Sequence, residues 1–487
     1  MDRLAFEHHL TSPQGLRRFP ANGDTVTAEG GACCDTLRFG VTIDGEHVTG
    51  AGFEAQGCGA ATAAGSAAVA LSRGRPLLEA ARIGPAQIAA ELGGLSPGKL
   101  HAAELAADAL ARALGAAAAR EGRLSQPANG PRTLVAMSGG VDSAVAALLC
   151  AEHDQAPPIA VTLELFSDHE NDAERSCCSA SAVSQARALA HSLGLPHFTL
   201  DLRDAFGAGV VQPFIDGYAQ GETPNPCIGC NGHVRLDAML TLADRLGCDT
   251  LATGHYARVA EDDDPRGPLL RAAADPAKDQ TYMLAALSPH SLRRMRFPLG
   301  QVSKVQVRER AAQAGLPVAA KPESQDLCFL AGTSRARFLA RHGNIAERPG
   351  AIVDRNGSQL GRHRGQHLYT VGQRRGLRIP SQAPLYVLDK DAATNQLTVG
   401  PRSALRTSTV AIRDVTLRRD SGRVNRVKLR YRSKPLAVRV SDNLAPGHHR
   451  QLILELGEPA DGAAPGQLAC LLDGELVVGW GTITRPR

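Results

Sequence analysis

Long apolar runs are absent from the 487-residue sequence, and so is the layout of a secretion signal. No run approaches the about 20 apolar residues that a membrane-spanning helix needs. The N-terminal stretch MDRLAFEHHL lacks a basic segment followed by an apolar one, which predicts a cytoplasmic location. The sequence also contains no long internal repeat. Its length predicts about three or four domains, each able to bury a core.

The cysteines do not indicate a disulfide framework. There are 11 of them, an odd number, and no secretion signal accompanies them. Several stand close together, in ACCD, SCCS and PCIGC. In a long chain of this kind, such spacing favours metal or sulfur chemistry.

The net charge of +5 is concentrated at the C-terminus. Residues 1–125 carry 11 basic and 13 acidic side chains, whereas residues 401–487 carry 15 and 8. A basic excess is typical of a surface that binds nucleic acid phosphates. A solvated basic domain without a nucleic acid partner fits the charge count equally well.

One clear break divides the chain. In AAAAREGRLSQPANGPR, near residues 120–131, an alanine-rich helical pattern gives way to Gly, Ser, Pro and Asn. Strand-like and helical runs then alternate from TLVAM to TLATGHYA, which predicts an α/β domain with a parallel sheet between helices. Beyond about residue 335, short runs broken by Gly and Pro predict a small mixed module. Period-two segments such as RVKLRYR and QLILELGE then predict a β-barrel.

The stretch MSGGVDSAV, residues 137–145, lies between the apolar runs TLVA and AALLC. Adjacent glycines between a strand and a helix let backbone N–H groups approach an anion, and the helix N-terminus adds its positive dipole end. Ser138, Asp142 and Ser143 place hydroxyls and a carboxylate around the same position. The turn therefore predicts a phosphate site. It lacks the Gly-Lys-Ser/Thr of a Walker loop, and hence the lysine that grips terminal phosphates.

The loop SGGVDS resembles that of the PP-loop ATP pyrophosphatases, which release pyrophosphate and leave AMP on their substrate. From about residue 131 to the end, the chain resembles the tRNA-specific 2-thiouridylase (MnmA) family. The motifs that carry this resemblance are GETPNPCIGCN (221–231), ATGHYAR (252–258), DPAKDQTYML (275–284), ESQDLCFL (323–330), YTVGQRRGL (369–377), LRYR (429–432) and PGQ (465–467).

The resemblance implies ATP-dependent 2-thiolation of the wobble uridine of tRNA, with magnesium-bound ATP. A uridine C2 carbonyl is a poor electrophile, so adenylation must turn its oxygen into a leaving group before a cysteine persulfide delivers sulfur. By resemblance, Cys328 carries the persulfide, Cys230 is the second catalytic cysteine and Asp142 serves the ATP step. The implied ATP contacts are Ala136, Met137, Ser138, Gly139, Gly140, Val141, Asp142, Ser143, Leu163 and Gly254. The implied contacts with the target base and the rest of the tRNA are Asn225, Pro226, Cys227, His255, Lys278, Asp279, Gln280, Arg430, Tyr431 and Gln467.

Cys227 departs from the family pattern, in which many members carry aspartate. With Cys230 and Cys328 it supplies three thiolates, enough to hold a [4Fe-4S] cluster with one iron open for sulfide. The alternatives are a redox-inactive CxxC pair and a zinc site.

The first 120 residues resemble a different family, the NifU/IscU-type iron–sulfur scaffolds, in GGACCDTLRFG, AQGCGAAT and KLHAAELAADALARAL. In that family three cysteines, an aspartate and a histidine supply ligands. Four positions match that set: Cys33, Asp35, Cys58 and His101. Cys34 replaces a glycine, and Ala102 stands where the third cysteine is expected. The remaining ligands suit a labile iron–sulfur cluster or zinc, and the alternative is a degenerate scaffold kept for docking. The fusion also implies a cysteine desulfurase, or another sulfur donor, as partner.

These resemblances predict four domains: an α+β scaffold-like domain at 1–122, an α/β PP-loop domain (adenine nucleotide α-hydrolase-like) at 131–335, a small mixed central tRNA-binding domain at 336–404 and a C-terminal β-barrel at 405–487. The favoured function is tRNA thiolation. A second hypothesis is an iron–sulfur or sulfur carrier whose loop binds ATP without chemistry. A third is a small-molecule adenylating enzyme like argininosuccinate synthase, in which a basic C-terminal domain and CxxC have no role.

Overall fold

The computed structural model describes residues 3–29, 34–120, 130–168, 180–261, 264–322, 327–330 and 332–485, so most of the predicted linker lies outside the described residues. The α-helices are α1 (Arg3–Thr11), α2 (Gly59–Ser72), α3 (Leu77–Ala80), α4 (Pro85–Glu91), α5 (Leu100–Arg120), α6 (Val141–His153), α7 (Ala180–Ser192), α8 (Arg203–Phe206), α9 (Gln212–Ala219), α10 (Pro226–Gly229), α11 (Leu236–Arg245), α12 (Thr281–Leu284), α13 (Pro289–Arg294), α14 (Lys304–Gln313) and α15 (Arg335–Gly343). The strands are β1 (Asp24–Glu29), β2 (Thr36–Asp44), β3 (His47–Gln56), β4 (Thr133–Ala136), β5 (Ile159–Glu164), β6 (His197–Asp201), β7 (Thr250–Ala252), β8 (Arg258–Ala260), β9 (Leu269–Arg271), β10 (Met295–Arg296), β11 (Gly350–Val353), β12 (Gln359–His363), β13 (Tyr386–Asp391), β14 (Gln396–Gly400), β15 (Arg406–Leu417), β16 (Arg426–Lys428), β17 (Leu436–Arg439), β18 (Gly447–Asp461), β19 (Leu468–Asp473) and β20 (Leu476–Ile483).

The chain divides into two compact units. The first unit comprises Met1–Arg203, Asp237–His255 and Arg294–Phe329. The second unit comprises Asp204–Leu236, Tyr256–Arg293 and Leu330–Arg487.

In the first unit, β1, β2 and β3 form an antiparallel meander. The side chains of Leu37, Phe39, Val41 and Phe53 on this sheet are almost fully buried. The alanine-rich helix α2 covers the sheet closely, and an added Cβ at Gly65 would lie 2.4 Å from the Phe53 ring. Small residues on α2 therefore leave room for the aromatic side chains of the sheet.

The strands β10, β7, β4, β5 and β6 form a parallel sheet in that order. The strand β5 is buried along its whole length, as expected for a parallel sheet covered on both faces. From β4 the chain continues to β5 and β6 on one side and later to β7 and β10 on the other, so the strand order reverses between β4 and β7. In open α/β sheets, ligands bind at the carboxyl ends of the strands beside such a reversal.

Helix α5 is shared by the N-terminal meander and the parallel sheet. It contacts β1, β2 and α2 as well as β6. Its alanines and leucines are buried around most of its circumference. An added Cβ at Gly115 would lie 1.9 Å from the carbonyl oxygen of Thr199, so the backbone of α5 lies directly against that of β6. The scaffold-like segment therefore forms an outer layer of the parallel sheet, which the sequence pattern did not indicate.

In the second unit, β12, β11, β14 and β13 form a four-stranded mixed sheet. The strands β15, β18, β17, β16, β19 and β20 are successive neighbours, and β15 pairs again with β20, which closes a six-stranded barrel. Ile412, Val427, Leu454 and Val478 lie in its core. The predicted fold class, including the β-barrel, is confirmed.

One strand of the barrel is shorter than the period-two pattern predicts. The segment RVKLRYR is strand only over Arg426–Lys428. After it, Ser433 donates from its backbone N–H and from its hydroxyl to the carbonyl oxygen of Arg430. These bonds close a turn, so Arg430 and Tyr431 lie in a turn at the end of β16.

Candidate functional site

The loop SGGVDS lies between β4 and α6, beside the reversal of strand order. Gly139 has a φ of +65°, and an added Cβ there would lie 3.0 Å from the carbonyl oxygen of Ala182. Glycine adopts this left-handed conformation without strain and leaves room for α7. Gly140 caps α6, whose first N–H groups and positive dipole end favour an anion.

Ser143 holds the loop closed. Its Oγ accepts from the backbone N–H of Ser138 at 3.1 Å and donates to the carbonyl oxygen of Gly140 at 3.1 Å. It also lies 3.2 Å from Oγ of Ser138. Ser143 is buried and Ser138 is half-buried, so Ser143 shapes the loop while Ser138 is the more accessible hydroxyl.

Two lysines at this loop were not indicated by the sequence pattern. Lys304, at the start of α14, donates from Nζ to both carboxylate oxygens of Asp142, at 2.7 and 2.8 Å. Lys321 donates to the carbonyl oxygen of Gly139 at 2.9 Å and to Oε1 of Gln185 at 3.0 Å. They stand 162 positions after Asp142 and 182 positions after Gly139, so no local motif connects them with the loop. They give the loop the cationic groups that a Walker lysine supplies elsewhere.

The carboxyl ends of β7 and β5 complete this edge of the sheet. Gly254 follows β7, and an added Cβ there would lie 2.7 Å from the backbone nitrogen of Ser143. Leu163 is buried in β5, and Nδ1 of His255 lies 2.9 Å from Oγ1 of Thr253. The structure thus brings the predicted ATP-contacting positions to the ends of three neighbouring strands.

The CxxC pair lies in the second unit, on α10 and the turn that follows. Asn225 caps α10 by accepting from the backbone N–H of Cys227 at 3.2 Å, and Pro226 occupies the first helical position. Cys230 is buried at the start of the π-helical turn Cys230–Arg235, and Cys227 is half-buried. Such π-helical turns occur frequently at functional sites.

The side chains of Asp279 and Gln280, which are both predicted tRNA contacts, bond to other parts of the protein. Asp279 accepts from Nζ of Lys428 at 3.2 Å, and Oε1 of Gln280 accepts from the backbone N–H of Tyr256 at 2.9 Å. These bonds give both side chains a structural role. Lys278 is half-buried and stays a candidate for direct contact.

Arg430 and Gln467 border a cavity of about 430 Å³. The lining residues are Thr223, Thr370, Val371, Gly372, Gln373, Arg430, Ala464 and Gln467. Nε2 of Gln467 donates to the carbonyl oxygen of Thr223 at 2.5 Å, and Nη2 of Arg430 donates to that of Gly462 at 2.6 Å. The Tyr431 ring lies 6.4 Å from the ring of Tyr282. The cavity therefore adjoins the chain segment that leads to Asn225.

Cys328 opens a 3-10 turn, Cys328–Leu330, and is half-buried. The next residue, Phe329, makes an edge-to-face contact with Phe166 at a centroid distance of 6.2 Å. Cys328 belongs to the first unit and the CxxC pair to the second. Residues 323–326 of its motif lie outside the described residues. The catalytic pair and the three-cysteine cluster stay predictions.

Asp35, Cys58 and His101 form a group of metal-binding type. One ligand atom from each lies within 4.8 Å of the other two. Cys58 directly precedes α2 and donates from its backbone N–H to Oδ1 of Asp35 at 3.2 Å, and His101 lies in the first turn of α5. Oδ2 of Asp35 and Nε2 of His101 are buried without a hydrogen-bond partner, 3.7 Å apart. An added Cβ at Gly57 would lie 2.1 Å from Oδ1 of Asp35, so only glycine leaves space for this carboxylate.

This donor set fits zinc, which binds sulfur, nitrogen and oxygen ligands. A cation between the two buried polar atoms, which lie at ion-pair distance, also accounts for their lack of hydrogen-bond partners. Ala102 is fully buried and offers no ligand. Cys34 is exposed, with a φ of +53°, and within the described part of the chain it does not belong to the group. Cys33 lies outside the described residues.

Comparison with protein families covers nearly the whole chain. Residues 6–123 match the NifU-like N terminal domain, and residues 131–332 match the tRNA methyl transferase HUP domain. Residues 336–401 match the tRNA methyl transferase PRC-barrel domain, and residues 412–483 match the aminomethyltransferase beta-barrel domain. Across the described helices, none has the length and apolar character needed to cross a membrane.

Curated relatives agree with these matches. The tRNA-specific 2-thiouridylase MnmA of Zymomonas mobilis is 42% identical over 365 residues, which cover 74% of this chain and 95% of that protein. The bifunctional protein NifU/MnmA of Rubrobacter xylanophilus is 42% identical over 489 residues, which cover 98% of this chain and 97% of that protein. Both resemblances predicted from the motifs are confirmed, and the chain belongs to the family of bifunctional NifU/MnmA proteins.

Proposed function

We propose that this chain catalyses the ATP-dependent 2-thiolation of the wobble uridine of tRNA. The observation that carries the proposal is the phosphate loop at the carboxyl edge of the parallel sheet, with Lys304 and Lys321 bonded to it. Relatives that match 74% and 73% of this chain are named tRNA-specific 2-thiouridylases. A tRNA substrate also supports the predicted cytoplasmic location.

In the first step, the uracil C2 oxygen attacks the α-phosphorus of ATP, and the bond to pyrophosphate breaks. The loop N–H groups and the two lysines are suited to stabilise the charge on the departing pyrophosphate. Magnesium, when bound, would screen phosphate charge, and Asp142, whose two carboxylate oxygens here accept from Lys304, would hold it at the loop.

In the second step, the terminal sulfur of a persulfide on Cys328 attacks C2, and AMP leaves with the former C2 oxygen. The Cys230 thiolate then attacks the inner sulfur of Cys328, which breaks the persulfide bond and leaves sulfur on the uridine. The resulting disulfide is restored to two thiols by an external thiol reductant.

The N-terminal domain is proposed to bind zinc or an iron–sulfur cluster through Asp35, Cys58 and His101 together with the predicted ligand Cys33, and to receive sulfur from a cysteine desulfurase. Its donor set and the two unpartnered buried atoms support this role. Metal analysis of the purified full chain tests it. We expect Asp35→Ala to lose the bound metal, and a metal content equal to that of the wild type would contradict the assignment.

The main test measures 2-thiouridine in tRNA from a strain that lacks the gene. Restoring the wild-type chain should restore 2-thiouridine, whereas Asp142→Ala and Cys328→Ser should not. Asp142→Ala should also block pyrophosphate release. Cys248→Ala is the matched control, because burial raises the pKa of this thiol to about 12 and keeps it unreactive. If 2-thiouridine did not depend on the wild-type chain, the carrier hypothesis would replace thiolation.

A second measurement separates the persulfide route from the three-cysteine cluster. A cluster on Cys227, Cys230 and Cys328 predicts that Cys227→Ala loses both iron and activity, whereas the persulfide route predicts an active variant. The comparison is made in an Asp35→Ala background, so that iron at the N-terminal group does not mask the result.

A further inference from the structure

Glu164 is a buried carboxylate at the nucleotide edge of the parallel sheet. It ends β5 and directly follows Leu163, one of the predicted ATP contacts, and only 5% of the residue is exposed. Burial raises the pKa of Glu164 to about 7, while the guanidinium of Arg112 acts in the opposite direction. An ionised carboxylate in this position needs a partner.

The partner comes from the N-terminal domain. Arg112 of α5 reaches Glu164 with both ends of its guanidinium, Nη1 to Oε2 at 2.6 Å and Nη2 to Oε1 at 2.6 Å. Such a two-pronged pair fixes the plane of the carboxylate as well as its position. The Nε of Arg112 donates to Asp108 at 2.7 Å, and Asp108 in turn accepts from Arg187 of α7 at 2.8 Å.

This network of alternating acidic and basic side chains connects α5 with β5 and α7, two elements that border the nucleotide site. One end is the carboxyl terminus of β5, and the other is α7, which also carries Gln185, the acceptor for Lys321 at the loop. Close contact between Gly115 and Thr199 keeps α5 against the sheet. A shift of α5 would therefore be transmitted to the SGGVDS loop through both β5 and α7.

We propose that Arg112, although it belongs to the scaffold-like domain, is a positioning residue for the nucleotide site of the catalytic domain. Its guanidinium holds the Glu164 carboxylate and thereby the end of β5 that carries Leu163. The inference relies on the proposed function for the identity of the nucleotide. It makes the N-terminal domain a structural part of the ATP site, in addition to any role in metal or sulfur handling.

The test measures the Kd for ATP by direct binding to the full-length protein, together with kcat for thiolation. We expect Arg112→Gln to raise the Kd by about five-fold or more, the lower end of typical coupling between sites, with kcat changed by less than about two-fold. Arg112→Lys keeps the charge but loses the two-pronged geometry, so its Kd should lie between those of the wild type and Arg112→Gln. Arg82→Ala is the control, because Arg82 bonds to Gly194 across the same interface, away from Glu164, and should leave the Kd unchanged.

The pH dependence distinguishes positioning from a general loss of packing. Glu164 is faced by Arg112 and Asp108 from α5 and by Asp201 and Arg203 from the end of β6. Near pH 6 Glu164 is protonated in both proteins, so the ratio of the two Kd values should fall toward one. At pH 8 the wild-type pair is ionised, and the ratio should be largest.

An Arg112→Gln protein with the wild-type Kd for ATP at pH 8 would overturn the inference. So would a rise in this Kd that does not change with pH and that also occurs in Arg82→Ala. If Arg112→Gln does not fold, Glu164→Gln removes the same ion pair from the other side and should give the same rise. A wild-type protein that binds ATP but does not thiolate tRNA would contradict the proposed function alone, and the Kd ratio would still decide this inference.

Discussion

Gly115 is the position at which a single methyl group tests the contact between the two domains of the first unit. An added Cβ would lie 1.9 Å from the carbonyl oxygen of Thr199 and 2.8 Å from its carbonyl carbon. A relaxed contact needs about 3.5 Å, so α5 must retreat from β6 by roughly 1.5 Å. Overpacking of this kind costs about 1–3 kcal/mol, and a backbone neighbour that cannot rotate away puts this site near the upper value. Alanine returns about 1 kcal/mol in helix propensity, which leaves a net destabilisation of about 2 kcal/mol.

Gly115→Ala should therefore lower the midpoint temperature at which the first unit unfolds by about 4–8 °C, measured by calorimetry on the full-length protein. Gly98→Ala is the matched control in the same unit, because Gly98 lies in the 3-10 turn just before α5 and an added Cβ there meets nothing within 4 Å. It should leave the midpoint unchanged or raise it slightly. A Gly115→Ala midpoint equal to or above that of the wild type would refute the close approach of α5 and β6.

Three further predictions concern charged groups. Lys304→Met leaves the Asp142 carboxylate without its lysine beside the phosphates, and should raise the KM for ATP about ten-fold or more in a pyrophosphate-release assay, with Lys304→Arg intermediate. The pKa of Glu164 is raised to about 7, so the folded state binds this proton more tightly than the unfolded state does. The contribution of Glu164 to the free energy of unfolding therefore falls by about 3 kcal/mol as the pH rises from about 4.5 to 7. Glu164→Gln should flatten that part of a urea-unfolding series across pH, and an unchanged slope would contradict the assignment. Arg430→Ala should reduce by about one the slope of the logarithm of the tRNA binding constant against the logarithm of the salt concentration. Arg439→Ala, which removes an exposed salt bridge of the same barrel, should leave that slope unchanged.

The local motifs were sufficient to predict most of the architecture. The glycines and hydroxyls of SGGVDS, between an apolar strand and an apolar helix, specify a turn with its N–H groups toward an anion, because both requirements are met within a few residues. Alternation of buried strands and helices likewise predicted the parallel sheet. The resemblance to the NifU/IscU-type scaffolds implied Cys33, Asp35, Cys58 and His101 as ligands, and the structure brings the last three of these together.

Only the tertiary structure shows which basic side chains lie at the SGGVDS loop and which one pairs with Glu164. Lys304 and Lys321 follow the loop by more than 160 positions, and nothing in the sequence around them distinguishes them from the other lysines of the chain. Arg112 stands in an alanine-rich helix that the sequence assigns to a separate domain. Its role appears only when Gly115 brings α5 onto β6. The sequence by itself determined which turns and helices form, because those depend on neighbouring residues. Only the packing of distant elements decided which charged side chains pair, because a buried charge is paired with a group on the element that packs against it.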